Sequence, residues 1–223
     1  MKKFLSIFIA VISILSISLF GCTKVNPLIS AVSELRCDLF EGSGEHFNLK
    51  ACYGFKETPF NNDAKVSEKV YALTFRLSDK ETDGATYTVS LYFDEKNYKA
   101  DFKLNPVTDC VTAFIEIDGF NQKEFTVTVS SGGTSENIIL SSIVPDGTID
   151  YKTALDYLLS NQSELIKVYT DNDGNFNAEI YARIVVKNGA PYWYVGIASG
   201  EGNLKALLID GFTGETLAIR EIF

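Results

Sequence analysis

The chain has 223 residues, with 20 Lys and Arg against 29 Asp and Glu, a formal net charge of −9 and a hydrophobic fraction of 46 %. Nucleic-acid binders draw most of their affinity from Lys and Arg on phosphates, so an acidic chain with no basic stripe in its sequence is not read as one. The apolar content supports a packed core and excludes a disordered chain.

Lys2 and Lys3 precede a run, Phe4 to Phe20, that is apolar apart from serines and ends at Gly21-Cys22. A basic start, an apolar middle and a small residue before a cut are the plan of a secretory leader, assigned to residues 1–21. Leu19-Phe20-Gly21-Cys22 resembles the lipobox of bacterial lipoproteins, with Phe20 at a place that family usually gives to a small or β-branched residue. The resemblance implies that the Cys22 thiol receives a diacylglycerol and that the chain is cut before it. Two acyl chains give stable anchoring where one is marginal. The expected address is the outer side of a membrane, with residues 22–33 as a lipidated tether. Loss of Lys2 and Lys3 leaves a chain that does not adhere to anionic lipid by charge, so the membrane contact is expected through the lipid.

An antiparallel β domain is predicted over residues 34–144. A hairpin around "EGSGEH" points Phe47, Leu49, Ala51 and Tyr53 inward and Cys52 outward, while Cys37 lies inward between Leu35 and Leu39. After Cys22 three cysteines remain, Cys37, Cys52 and Cys110, and an odd number cannot all pair within the chain. A bulge would be needed to bring Cys37 and Cys52 together. The expectation is three buried or half-buried thiols. Leu28, Ala31, Val32 and Leu35 also fit helical spacing behind Asn26-Pro27, and a helix there would undo the inward assignment of Cys37.

Alternation then recurs. "KVYALTFRL" places Tyr71, Leu73, Phe75 and Leu77 on one side, and "ATYTVSLYF" does the same with Tyr87, Val89, Leu91 and Phe93. "YKADFKL" sets Tyr98, Ala100, Phe102 and Leu104 against Lys99, Asp101 and Lys103, and "CVTAFIEI" sets Val111, Ala113, Ile115 and Ile117 inward. "EFTVTVSSGGTSENIIL" reads as a hairpin turning at Gly132-Gly133. Seven or eight such strands suggest a sandwich-like or barrel-like domain.

Pro145 and Asp146-Gly147 mark a boundary. Over residues 145–223 the pattern is α+β. "DYKTALDYLLSN" gives a helix capped by Asp150, with Tyr151, Ala154, Leu155 and Leu158 on one face. Strand patterns resume in "ELIKVYT", "AEIYARIVV", "YWYVGIAS", "LKALLID" and "ETLAIREI". The stretch "YWYVGIASGEGNLKALLIDGFTGETLAI" resembles a PepSY domain, through Asp210, Thr213, Gly214 and Glu215 at its turn and Ile149 and Ala154 at the helix start. The segment from Leu165 to Val185 is longer than that family's usual spacing. The resemblance implies an extracytoplasmic location and a role in binding or restraining peptidases. The turn residues themselves are read as structural, since Gly214 admits a positive φ and Asp210 and Thr213 can bond the turn backbone.

Candidate chemistry is sparse. His46 is the only histidine, it sits at a loop tip, and a catalytic base needs a third group to hold it. Zinc-ligand spacing is lacking, as are phosphate-loop, metalloprotease and nucleophile-elbow motifs. Asp79, Glu81 and Asp83 in "DKETDG" form a weak calcium candidate, because Ser90 stands where an EF-hand needs its bidentate glutamate. In "DNDGN" the first ligand place falls on Tyr169. Trp193 is expected to face inward, and Tyr192 and Tyr194 outward beside Tyr181, as a surface for glycan or peptide. The sequence therefore points to a lipid-anchored extracytoplasmic binding or peptidase-modulating module without a cofactor and not an enzyme. A glycan- or peptide-binding surface module, or an envelope hydrolase with an acidic site, are the alternatives.

Overall fold

A computed structural model describes residues 26–59, 65–78, 86–106, 108–200 and 204–222. The chain is mainly β, and its antiparallel sheet is curled into a nearly closed barrel. It opens with a short helix α1 (Pro27–Ser30) and continues through β1 (Val32–Ser43), β2 (Asn48–Thr58), β3 (Glu68–Ser78), β4 (Tyr87–Phe93), β5 (Lys96–Asp101), β6 (Lys103–Asn105), β7 (Cys110–Glu116), β8 (Glu124–Ser131) and β9 (Thr134–Ser142). Helices α2 (Tyr151–Asn161) and α3 (Ser163–Lys167) follow, then β10 (Glu179–Lys187), β11 (Ala190–Ala198), β12 (Leu204–Asp210) and β13 (Thr216–Ile222).

One path runs β13-β12-β11-β10-β1-β2-β3-β7-β6, and a second branches from β1 through β9 and β8 to β4 and β5. Strand β1 is the junction. Its first residues pair in parallel with β10, Val32 with Ile180 and Leu35 with Ala182. Further along, Phe40 and Glu41 pair with Ser142 and Ser141 of β9. Between the two pairings the register to β2 slips at Cys37. This bulge adds a residue and re-aims the strand, so Leu35 and Phe40, an odd number of positions apart, are both buried. The period-two assignment of Leu35, Cys37 and Leu39 to one face is corrected accordingly, with Cys37 and Leu39 half-buried.

The barrel core contains the inward residues of β2, β3, β4, β7, β8 and β9, including Leu49, Leu73, Phe75, Val89, Ala113 and Leu140. One end is closed by aromatic rings in edge-on contact, with Phe120 4.9 Å from Phe125 and Phe125 5.0 Å from Phe40. Two residues expected inward are not. Tyr71 is 36 % exposed and leans on Phe55 at the seam beside the second core, and Leu104 is 46 % exposed. The alternation of β5 ends at Phe102, whose N–H bonds to the carbonyl of Tyr87, and β6 starts afresh beyond it.

The second core lies between the helices and the sheet of β10 to β12. Asp150 caps α2 through the N–H of Thr153 at 2.8 Å, and Ala154, Leu155 and Leu158 are buried beneath it. A helix of that length needs such packing to persist. Trp193 is 2 % exposed and donates its indole N–H to the carbonyl of Ile149 at 2.9 Å, tying the helix entry to β11. "ELIKVYT", read as a strand, instead gives α3. Ile166 and Tyr169 are buried three apart while Val168 is 69 % exposed, so the spacing that packs is helical.

The same core takes Leu28, Val32, Leu35 and Phe55 from the start of the chain. The stretch expected as a tether is thus folded from Asn26 onward. Asn26 caps α1 and also donates its side-chain amide to Asp156 of α2 at 2.8 Å. Leu28→Ala should lower stability by about 2–5 kcal/mol, the usual cost of truncating a fully buried leucine. Urea unfolding monitored by Trp193 fluorescence checks it, and a loss below about 0.5 kcal/mol, the usual range for surface sites, would mean that the segment is only a leash.

Candidate functional site

The outer face of β1, β2, β3, β7 and β6 forms a trough of about 760 Å³. Its floor is made of small side chains because alternation sends the large ones into the barrel. Leu39, Cys52, Thr74 and Phe114 lie in one cross-strand row, and Arg36, Gly54 and Ala72 in the next. Gly54 is dictated by the bulge opposite it. A Cβ there would meet the carbonyl oxygen of Leu35 at 1.8 Å, so β1 can cross only over a glycine.

The walls are charged. Arg36, Lys50, Lys56, Arg76 and Lys103 line the trough against only two carboxylates, Glu34 and Asp101. Glu34 joins β1 to β10, accepting from Arg36 Nε at 2.8 Å and from Arg183 Nη2 at 2.7 Å with its side chain 13 % exposed. Burial works against its charge, but the Arg183 hydrogen bond and the two guanidinium charges hold its carboxyl below the usual range. Lys50 pairs with Glu41 at 2.6 Å. Lys56, Arg76 and Lys103 make no ion pair among the described residues.

Tyr181, Tyr192 and Tyr194 share the sheet face of Arg183, at the border of the trough. Tyr194 lies directly across from Arg183, and Tyr192 across from Val185 and Asp210. All three are half-buried and so present edges rather than an open platform. The Tyr181 hydroxyl donates to Glu179 at 3.4 Å, and burial followed by the neighbouring Glu179 carboxylate pushes it up to about 12.

Among the described residues the three thiols, Cys37, Cys52 and Cys110, are unpaired. Cys37 occupies the bulge, where burial raises it to about 11, and bonds the carbonyl of Tyr53 at 3.6 Å. Cys52 lies in the trough floor with its thiol also raised by burial, and Cys110 bonds the carbonyl of Thr108 at 3.1 Å on the rim. The bulge therefore forms without joining Cys37 to Cys52. His46 is exposed at the β1–β2 turn, where Glu136 of β9 accepts from the backbone N–H groups of Glu45 and His46. Asp171 is occupied within its own turn, accepting from the N–H groups of Asp173 and Asn175. Cys22 and the calcium candidate Asp79, Glu81 and Asp83 lie outside the described residues. Among the described residues no group of His, Cys, Asp and Glu is placed to hold a metal, and no helix is long and apolar enough to cross a membrane.

Sequence reasoning missed Glu34, Arg36, Lys50, Arg76, Lys103 and Arg183 as a set. The signal was available only as Lys and Arg at outward positions of separate strands, and their meeting depends on the register. The chain matches no family model, no curated protein and no solved structure.

The folded carboxyl of Glu34 titrates below its unfolded value. Its contribution is therefore present above the unfolded pKa, about 4.3, and is lost as pH falls through the folded value. Glu34→Gln should cost about 1–3 kcal/mol at pH 7, since it strands two partly exposed guanidinium groups. The gap to wild type should close toward pH 3, as measured by urea midpoints across pH.

Proposed function

We propose that this is a lipid-anchored, extracytoplasmic binding protein without catalytic activity, whose contact surface is the trough on β1, β2, β3, β7 and β6. The observation that carries the reading is a concave, small-floored face lined by charged side chains, in a chain whose Cys37 and Cys52 thiols are pushed up by burial and whose histidine stands apart at a loop tip. The membrane address rests on the lipobox resemblance at Cys22. Its support is chemical: basic start, apolar run, Gly21 and Cys22 in order.

The unit of α2 and β10 to β13 is proposed to be PepSY-like, with a role in binding or restraining an envelope protein such as a peptidase. Support comes from one helix on an antiparallel meander and from the turn at its end. Asp210 accepts from the N–H groups of Phe212 and Thr213 at 2.9 Å, and Gly214 has a φ of 75°. A Cβ on Gly214 would enter the Tyr157 ring at 2.1 Å, so the turn also docks on α2.

A second reading is a glycan-binding module. It is favoured by another groove, about 770 Å³, where Tyr92 is 67 % exposed among Asn97, Gln122, Thr128 and Asn137, with the carboxylates of Asp94 and Glu124 on the wall as acceptors for sugar hydroxyls and no Lys or Arg. An exposed ring beside amides and hydroxyls suits an uncharged sugar.

Two measurements test the main reading. Cys22→Ser should move the protein from the detergent phase of a membrane fraction to the aqueous phase, and mass spectrometry of the wild type should show diacylglycerol on Cys22. A photo-crosslinker at Thr74 in the trough should give a discrete envelope adduct that the same group at Ser160 on α2 does not. Adducts at Tyr92 and none at Thr74 would instead select the second groove.

A further inference from the structure

The trough carries a feature that folding alone does not require. Lys50 of β2 lies directly opposite Arg76 of β3, Arg76 opposite Thr112 of β7, and Thr112 opposite Lys103 of β6. All four line the same wall. Adjacent strands are about 4.8 Å apart, so the row spans roughly 14 Å from Lys50 to Lys103 across three spacings. Like charges directly opposite on a sheet destabilise it, and this pair sits in a chain that has 29 acidic residues available for complementary pairing. Lys50 has Glu41, but Arg76 and Lys103 make no ion pair among the described residues, with Asp101 in the trough lining within ion-pair distance of neither. Arg36 adds a further cation on the same face two rows along, beyond the Cys52–Thr74 row, and is held in place by Glu34.

We infer that this Lys50–Arg76–Lys103 row binds an extended polyanion lying across the strands, with the Thr112 hydroxyl as a neutral donor between the cations. The inference rests on the trough being the contact surface. Charge complementarity selects the occupant. A neutral chain leaves Arg76 and Lys103 uncompensated, and a cationic one is repelled. The floor of Cys52, Gly54, Ala72 and Thr74 lets a linear chain approach the sheet closely, and the half-exposed Phe114 bounds it on one side. Net negative charge over the rest of the molecule discourages binding elsewhere. Regularly spaced phosphates and regularly spaced carboxylates both satisfy this chemistry.

The test is fluorescence anisotropy of the full chain in nonionic detergent with labelled inorganic polyphosphate and labelled poly-L-glutamate, titrated between 20 and 200 mM salt. At least one probe should bind, with a log–log salt slope of about −2 for three neutralised cations on a single-stranded polyanion. The Arg76→Glu, Lys103→Glu double variant should weaken binding at least tenfold and flatten that slope. The Lys152→Glu, Lys167→Glu double variant, on α2 and α3, makes the same charge change away from the trough and should stay within twofold. The tighter probe assigns phosphate or carboxylate as the source. Failure of both probes at 20 mM salt, or equal losses in the trough and helix variants, overturns the inference. A Thr74 crosslink obtained alongside such a failure would leave the contact surface standing and remove only the ligand class.

Discussion

Everything in this fold depends on a single strand edge being shared. The first residues of β1 hydrogen-bond to β10 and later ones to β9, and the change of partner occurs around the bulge at Cys37. Without the extra residue, Leu35 and Phe40 would point to opposite faces. With it, Leu35 fills the core under the helices and Phe40 fills the barrel. Gly54 follows from the same event, as does the packing of Cys37 against both cores. Two separate hydrophobic clusters are thereby set on one continuous hydrogen-bonded sheet, and the outer face runs unbroken across it.

That outer face is where the chain departs from what packing demands. Its inward residues are chosen for volume, and the outward ones only need to be soluble. Yet the outward positions of β2, β3 and β6 carry Lys and Arg side by side, while Glu34 is spent on holding Arg36 and Arg183 rather than on neutralising the row. A partly buried carboxylate between two guanidinium groups is held by strong charge-assisted bonds. It fixes how β10 meets β1 on the face opposite the helices, and it orients Arg36 toward the trough.

Much of this was legible from the residues. Period-two runs located β3, β4, β7, β8 and β9, and Asp150 with Leu155 and Leu158 located α2, because those patterns are local and each faces one core. What failed had a non-local cause. "ELIKVYT" alternates well enough for a strand, but Ile166 and Tyr169, three apart, pack into the core under the helices instead. Asn26-Pro27 does signal the helix start that α1 realises, but residues 22–33 also read as a tether, because the partners of Asn26 and Val32, Asp156 and Ile180, lie far along the chain. The cation row was invisible for a related reason. β3 pairs not with its sequence neighbour β4 but with β7, so Arg76 and Lys103 share a row only through a strand between them. Tyr181, Tyr192 and Tyr194 were placed on one face correctly by alternation, but how deeply neighbouring side chains would cover them was not encoded in that pattern.

The parallel pairing of β1 with β10 has a consequence for biogenesis. Ser33 meets the carbonyl of Ile180, a contact spanning 147 positions. A chain that emerges amino-end first therefore holds an unsatisfied row of backbone donors and acceptors at Val32–Arg36 until nearly the whole polypeptide has been released. Such non-local closure is intrinsically slow, and an open edge is a template for pairing with another molecule. The chain with its barrel strands made and β10 still to come is thus the vulnerable species, and its remedy lies at the far end of its own sequence.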